Sequence, residues 1–172
     1  MNTFGRIFRV HIFGESHGAG VGVTIDGVKP GIYIDESIFE TELKRRQGQN
    51  GVGTTPRKEA DIPIFMSGVF NQHTTGAPLT LFFENNNIRS SDYSKHSAIP
   101  RPSHADFVAH VKYDGFEDYN GGGHFSARLT TGIVAAGVIA QQMILSIIPE
   151  YSIQTQFITV GGLPTIEAGL AR

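Results

Sequence analysis

The stretch Gly121-Gly122-Gly123-His124-Phe125-Ser126-Ala127-Arg128 leads into residues 129–148, which contain no charged side chain and no proline. The hydroxyl of Ser126 is placed to accept a hydrogen bond from an amide of the first turn, so this serine predicts the N-cap of a long helix. The unpaired amides and the dipole at that end favour an anion, and Arg128 adds a guanidinium suited to phosphate or carboxylate. A plain glycine-rich loop before a core helix is the alternative interpretation, because such loops are common.

The apolar run is long enough to cross a membrane. However, no basic cluster flanks both of its ends, and polar residues interrupt it, namely Thr130, Thr131, Gln141, Gln142 and Ser146. We therefore expect a helix that is buried on nearly all sides within a protein, and no membrane partner.

The composition is that of a globular protein, with 40% apolar and 17% charged residues in a chain of 172. That length predicts one domain, residues 1–172, with a sizeable core. A net charge of -2 argues against general nucleic-acid binding, which requires a basic face. The chain has no cysteine, which excludes a disulfide framework and thiolate chemistry. The N-terminal residues lack the pattern of a signal peptide, and we expect a cytoplasmic protein.

Alternating apolar residues predict several strands. The first covers residues 6–13 and ends in the turn 14–18, Gly-Glu-Ser-His-Gly, where two glycines bracket a polar triplet. Further strands are predicted at residues 21–25, 62–70, 79–83 and 152–160. Helices are predicted from a cap at Asp35 to Arg46, and over residues 106–112. The polar segments 47–55 and 85–97 are predicted to be surface loops, and such loops often carry function.

Two histidines, His17 and His104, stand in turns flanked by glycine or proline. Imidazole exchanges a proton near neutral pH, which general acid–base catalysis requires. A single turn histidine is more often incidental, but here there are two, together with a helix end suited to phosphate. The candidates to hold a multiply anionic ligand are Arg45, Arg46, Arg101 and Arg128. For Arg45 and Arg46, a solvated basic helix end is the alternative interpretation.

The spacing His104-x-Asp106-x-x-x-His110 indicates a different chemistry. Imidazole and carboxylate groups together bind several divalent ions, and such a site would suit a metal-dependent phosphohydrolase. The spacing is not specific to metal sites, so we expect no bound metal and keep the phosphohydrolase as an alternative.

Six motifs follow one another over nearly the whole chain. They are Asn2-Thr3-Phe4-Gly5 with Phe13-Gly14-Glu15-Ser16-His17-Gly18, Thr54-Thr55-Pro56-Arg57-Lys58-Glu59, Thr74-Thr75-Gly76, Ser91-Asp92-Tyr93, Arg101-Pro102-Ser103-His104-Ala105-Asp106, and Gly121-Gly122-Gly123 with Ser126-Ala127-Arg128. In type and order these motifs resemble those of chorismate synthase.

The resemblance implies the last step of the shikimate pathway, in which 5-enolpyruvylshikimate 3-phosphate loses phosphate and a ring proton by 1,4-anti elimination to give chorismate. The family requires reduced FMN, although the reaction has no net redox change; NADPH or a flavin reductase would supply the electrons. The implied fold class is α+β, a β-α-β sandwich with helices packed between antiparallel sheets, assembled as a homotetramer.

The resemblance also implies roles for individual residues. His17 would give a proton near the leaving phosphate, and His104 would act beside the flavin. The implied substrate contacts are Ser16, Arg46, Arg101 and Arg128. The implied flavin contacts, besides His104, are His124, Phe125 and Ser126. Arg45 stands where some members contact the reduced nicotinamide nucleotide.

The sequence departs from the family pattern in three places. Residues 46–52 read Arg-Gln-Gly-Gln-Asn-Gly-Val, which lacks the family's second arginine and removes one expected anion contact. His124 and Phe125 stand where the family has arginine and serine, a change expected to weaken or reshape flavin binding. Ser103 replaces a common glycine.

The chain ends near the middle of the family's usual span, before an Arg-Ser-Asp-Pro segment whose aspartate acts in proton removal. We therefore expect an N-terminal portion of the enzyme that is incomplete and inactive by itself. A non-catalytic fragment or paralogue that binds flavin or an anion is the second alternative, beside the phosphohydrolase.

Overall fold

The computed structural model describes residues 2–47, 59–86, 99–155, 158–160 and 163–164. The strands in these parts are β1 (Thr3–Phe4), β2 (Arg9–Gly14), β3 (Gly20–Asp26), β4 (Ile64–Ser67), β5 (Val69–Phe70), β6 (His73–Thr74), β7 (Leu79–Glu84), β8 (Thr159–Val160) and β9 (Leu163–Pro164). The α-helices are α1 (Glu36–Arg46), α2 (Asp106–Lys112) and α3 (Thr130–Leu145).

Five strands form one antiparallel sheet in the order β1-β2-β3-β7-β4. Alternate residues of a strand point to the same face, so the period-two pattern of β3 and β7 creates one apolar face. The register between these strands places six fully buried side chains on that face, namely Val21, Val23, Ile25, Leu79, Leu81 and Phe83. The core therefore lies on one side of the sheet.

Helix α1 begins where the sequence predicts. The Asp35 carboxylate accepts a hydrogen bond of 3.0 Å from the Ser37 amide, which caps the helix. Phe39 and Leu43 are buried, and their spacing of four residues puts them on one face. That face completes the core with α3. In the last turn Lys44 and Arg45 are exposed, whereas Arg46 is partly buried.

A single turn of 3-10 helix, Ala127–Leu129, precedes α3. Ser126 Oγ accepts a hydrogen bond of 3.2 Å from the Arg128 amide, which confirms the predicted cap. Where α3 meets β3, a Cβ on Gly132 would lie 3.0 Å from the Gly22 carbonyl oxygen. The missing side chain at Gly132 therefore lets the helix approach the sheet closely.

The expectation that this helix is buried on nearly all sides is wrong. By length and composition it could cross a membrane, but it packs on the sheet, with Ala135 and Ile139 fully buried. Only half of its apolar window is buried, and Ile133 is exposed. The reason is that, among the residues described, sheet covers the helix on one side only.

The α+β class is confirmed, and of the expected sandwich the described residues supply one sheet layer with its helices. The strand predicted at residues 62–70 is divided at Gly68, whose φ of +83° turns the chain so that β5 pairs with β6 in a separate small sheet. The strand predicted at residues 6–13 begins only at Arg9, and no strand covers residues 151–155.

Some predictions lie outside the described residues. These are most of the loops predicted at 47–55 and 85–97, the motif residues 54–58, and the motif residues 91–93.

Candidate functional site

Two of the motif histidines contact adjacent residues of one turn. We call residues Asn120–Phe125 the glycine turn; its three glycines have φ of 60°, 89° and 50°, which glycine adopts at low cost. A Cβ on Gly121 would overlap Cε1 and Nδ1 of the His17 ring. A Cβ on Gly122 would lie 2.7 Å from Cε1 and 3.0 Å from Nε2 of His104. The absent side chains therefore admit both imidazoles.

The turn that carries His17 is docked on the glycine turn by buried Ser16. The Ser16 amide donates to the Gly123 carbonyl at 3.1 Å, and Ser16 Oγ donates to the Asn120 carbonyl at 3.2 Å. The same oxygen lies 3.0 Å from His17 Nδ1. Because the single hydroxyl hydrogen goes to Asn120, the oxygen accepts from Nδ1, which assigns the proton of the neutral ring to that nitrogen.

His104 is held by a carboxylate and a guanidinium. Its Nδ1 lies 2.5 Å from Asp106 Oδ1 and 3.2 Å from Arg101 Nη2. Since a guanidinium only donates, one nitrogen cannot satisfy both neighbours. The contact with the carboxylate requires a proton on Nδ1, whereas the contact with the guanidinium requires an unprotonated Nδ1.

Arg101 and Asp106 form a bidentate ion pair. Arg101 donates from Nε and Nη2 to the two carboxylate oxygens at 2.8 Å each, and its backbone amide donates at 2.9 Å. These hydrogen bonds hold the pKa of Asp106 well below its usual range and outweigh burial, which acts in the opposite direction. Ser103 lies between them with φ of +61°, a conformation that explains why glycine suits this position.

Arg128 is buried, and its guanidinium donates to four acceptors of the protein. Its acceptors are Asn85 Oδ1, the Glu84 carbonyl, Thr131 Oγ1 and a carboxylate oxygen of Asp61. Arg46 donates to the other oxygen of Asp61 at 2.7 Å, so one fully buried carboxylate joins two arginines that were predicted to bind an anion. That they bind substrate stays a prediction.

Arg45 lies apart from this ion cluster. It is exposed on α1 and pairs with Glu42 at 2.7 Å within the same helix. Its predicted contact with a nicotinamide nucleotide also stays a prediction.

The flavin-contact triplet divides between two environments. His124 and Phe125 line a cleft of about 600 Å³ together with Phe13, Tyr113 and Phe116, whereas Ser126 caps the helix. His124 Nδ1 is 2.9 Å from the Gly14 carbonyl, so this ring also ties the glycine turn to the end of β2. The cleft is rich in aromatic side chains.

The same cleft contains two neighbouring carboxyl groups. Burial raises the pKa of Glu15, and the charge and a hydrogen bond of Asp118 raise it further, while His124 has a smaller opposite effect. The Lys112 ammonium lies 5.1 Å from the Tyr113 ring centre and 5.7 Å from that of Phe125. A positive charge therefore lies near two of the aromatic rings that line the cleft.

The metal site considered from the spacing of His104, Asp106 and His110 is not supported. His110 Nδ1 contacts Glu117 at 3.0 Å, while Asp106 is occupied by Arg101 and His104. Among the residues that the structure describes, no three histidine or carboxylate side chains are grouped to hold a metal ion. Asp106 is instead the ion-pair partner of Arg101, and His110 is a residue of α2.

The sequence patterns do not predict two residues of the site. Asn85 connects Arg128 with the His17 turn, and Asp61 joins the two arginines. Both contact partners that are distant in sequence, and no local pattern marks them. The sequence motif indicates Asp106 only as a metal ligand, whereas the structure makes it the ion-pair partner of Arg101.

Comparison with known proteins agrees with the motifs. The sequence model of chorismate synthase matches residues 8–168. The chain is 58% identical to the chorismate synthase of Chitinophaga pinensis over 170 residues, which are 99% of this chain and 50% of the relative. It is 49% identical to that of Pyrococcus abyssi over 140 residues, which are 81% of this chain and 39% of the relative.

The fold agrees as well. A crystal structure of chorismate synthase matches with a TM-score of 0.57 at 25% identity, covering 82% of this chain and 34% of the other. The chain thus spans about half the length, or less, of these relatives. Both motif histidines lie against one glycine turn, and the family's sequence model matches residues 8–168; the chain belongs to the chorismate synthase family.

Proposed function

We propose that the protein of which this chain forms all or part eliminates phosphate from 5-enolpyruvylshikimate 3-phosphate to give chorismate. The observation that carries the proposal is the placement of His17 and His104 against adjacent glycines, with Arg101 beside His104. Two imidazoles and a guanidinium at one turn suit a reaction that handles protons and an anionic substrate.

In this proposal His17 donates a proton to the departing phosphate. Ser16 accepts from His17 Nδ1, so the proton at issue is on Nε2 of the charged ring. Asp106 holds His104 through Nδ1 in the same way, so that His104 exchanges its proton at Nε2. The two histidines therefore present equivalent nitrogens, each fixed through its Nδ1.

The arginines supply positive charge to the substrate. Arg101 remains partly exposed beside His104, which makes it the candidate for direct contact with an anionic group. Arg46 and Arg128 share one carboxylate, so two cations are balanced by a single anion within that pair of contacts. We assign them to charge stabilisation near the site, through the field of the cluster.

Reduced FMN, when bound, would supply an electron-rich ring that stabilises developing charge on the substrate. The aromatic cleft fits a planar ring, since Phe13, Tyr113 and Phe125 offer faces for stacking. Lys112 adds a positive charge at its edge. We propose this cleft, with His124 and Phe125, as this chain's part of the flavin site.

Further features of the family are proposals for the whole protein. Exposed Arg45 would contact the phosphate of a nicotinamide nucleotide that reduces the flavin. The exposed face of α3 is available for further protein, in keeping with a chain that covers half of its relatives and with a homotetramer. The 172 residues alone would then be inactive.

A chimera tests the activity. This chain replaces the matching 170 residues of the Chitinophaga pinensis relative, and chorismate formation is followed anaerobically with reduced FMN. We expect an active chimera and an inactive isolated chain. Replacing His17 or His104 by alanine should reduce kcat about 10²- to 10⁴-fold, the usual contribution of a general acid or base. A folded chimera without activity, beside an active parent, would contradict the proposal.

A non-catalytic flavin- or anion-binding protein is the second candidate. It is favoured by one observation: His124, which departs from the family pattern, uses its Nδ1 within the protein. Titration of the isolated chain with FMN, followed by the fluorescence of the flavin, separates the cases when combined with the chimera assay. Binding with an inactive chimera would favour this candidate.

A further inference from the structure

We propose that Asp106 is a positioning residue that sets the tautomer of His104 and thereby keeps the lone pair of the neutral ring on Nε2. The carboxylate lies 2.5 Å from His104 Nδ1 and is itself immobilised by Arg101. The consequence for catalysis rests on the proposed function. The tautomer itself does not.

Asp106 is well suited to this role because it has little freedom. Its side chain is only 7% exposed, and it accepts three hydrogen bonds from Arg101, one of them from the backbone. The carboxylate therefore occupies one position relative to the turn that carries His104. A carboxylate can only accept, so the ring nitrogen that faces it must carry the proton.

The opposite tautomer would be unfavourable. It would place the Nδ1 lone pair against the carboxylate oxygen of Asp106, so that two acceptors would meet at hydrogen-bond distance. With Nδ1 protonated, Nε2 is the basic nitrogen, and it lies beside Gly122. The proton-accepting edge of the ring thus faces the glycine turn that also contacts His17.

Arg101 is the other charged neighbour of the ring, and its contact with Nδ1 favours the opposite tautomer. Its Nη2 lies 3.2 Å from Nδ1 and also donates to Asp106 Oδ1 at 2.8 Å. If Nη2 were the true partner of Nδ1, that nitrogen would be unprotonated. The two residues therefore predict opposite tautomers, and replacing each separately distinguishes them.

The test is nitrogen NMR of the imidazole rings in the 172-residue chain, at a pH where His104 is neutral. Signals of His104 are assigned by their loss in His104→Gln. The wild-type ring should show a protonated Nδ1 and an unprotonated Nε2. In Asp106→Ala the proton should move to Nε2, whereas Arg101→Gln should keep it on Nδ1.

Asp26→Asn is the matched control, because Asp26 also pairs with an arginine but lies at the solvent-accessible end of β3. It should leave the ring signals of His104 unchanged. A wild-type ring protonated on Nε2 would overturn the proposal. So would a folded Asp106→Ala variant that keeps the proton on Nδ1. If that variant does not fold, the wild-type spectrum decides.

In the active chimera, Asp106→Ala should lower kcat about 10- to 100-fold, as expected when the partner that orients a functional histidine is removed. An inactive parent chimera would count against the proposed function and would leave the tautomer result valid. A normal kcat together with a changed tautomer would show that the position of the proton is not needed for catalysis.

Discussion

Asn85 Oδ1 accepts a hydrogen bond of 3.0 Å from Arg128 Nε, while the nitrogen of the same amide donates to the Glu15 and Gly18 carbonyls at 2.9 and 2.8 Å. One buried side chain thus connects the start of the long helix to both ends of the turn that carries His17. These bonds define the orientation of the amide. A reversed amide would place its nitrogen against the Arg128 guanidinium and its oxygen against the two carbonyls.

Replacing Asn85 by alanine should therefore destabilise the chain by about 3 kcal/mol, since two carbonyls and one guanidinium nitrogen lose a buried partner. Urea denaturation measures the change. Asn86→Ala, at an exposed neighbouring side chain, is the control and should have little effect. Equal stability of the two variants would contradict the role given to Asn85.

Asp61 should matter more than any surface carboxylate. Its removal in Asp61→Ala leaves Arg128 buried without its charged partner, which costs about 3–5 kcal/mol. The control is Asp26→Ala, whose ion pair with Arg9 is exposed and contributes about 0–1 kcal/mol. Thermal unfolding measures the stability of both variants. Similar losses of stability would show that the buried ion cluster contributes no more than the exposed ion pair.

Gly121→Ala should displace His17. Any side chain there meets φ of +60°, which costs about 1–2 kcal/mol, and its Cβ would also overlap the imidazole. Gly31→Ala is a matched control, because its φ is +81° with nothing within 4 Å. Both variants should lose stability, but only Gly121→Ala should shift the NMR signals of His17. Unshifted signals would mean that the turn accommodates the methyl group.

Glu15→Gln should make stability less dependent on pH. The pKa of Glu15 in the folded chain is raised above its ordinary value of 4.5, so its contribution is present below that pH and is lost as the pH rises through the folded value. The variant should therefore gain stability relative to the wild type between pH 4 and pH 7. Glu42→Gln, at a partly exposed carboxylate of α1, is the control. If urea denaturation showed that Glu15→Gln loses stability relative to the wild type as the pH rises, the raised pKa of Glu15 would be wrong.

Local rules predict much of this structure. The cap at Ser126, the start of α1 at Asp35 and the alternation along β3 all depend on residues within a few positions of each other, where backbone geometry decides. The glycine turn belongs to the same class, because three successive glycines already indicate unusual backbone angles.

The contacts of Arg128 could not be predicted in this way. Its partners Asn85 and Asp61 lie 43 and 67 positions away, and no periodicity relates them. An arginine in the first turn of a helix indicates an anion, but it cannot tell a bound ligand from a carboxylate of the same chain. Asp106 shows the same ambiguity: its spacing fits a metal ligand, whereas its neighbour Arg101 makes it an ion-pair partner.

The two imidazoles also share one short stretch of backbone, because they lie beside consecutive glycines. Gly121 and Gly122 are joined by one planar peptide unit, so a change of the backbone there reaches the surroundings of both rings. Arg46 and Arg128 belong to other segments and do not share this coupling. A change in that peptide unit would thus affect both proton carriers at once and leave the arginines joined by Asp61 unaffected.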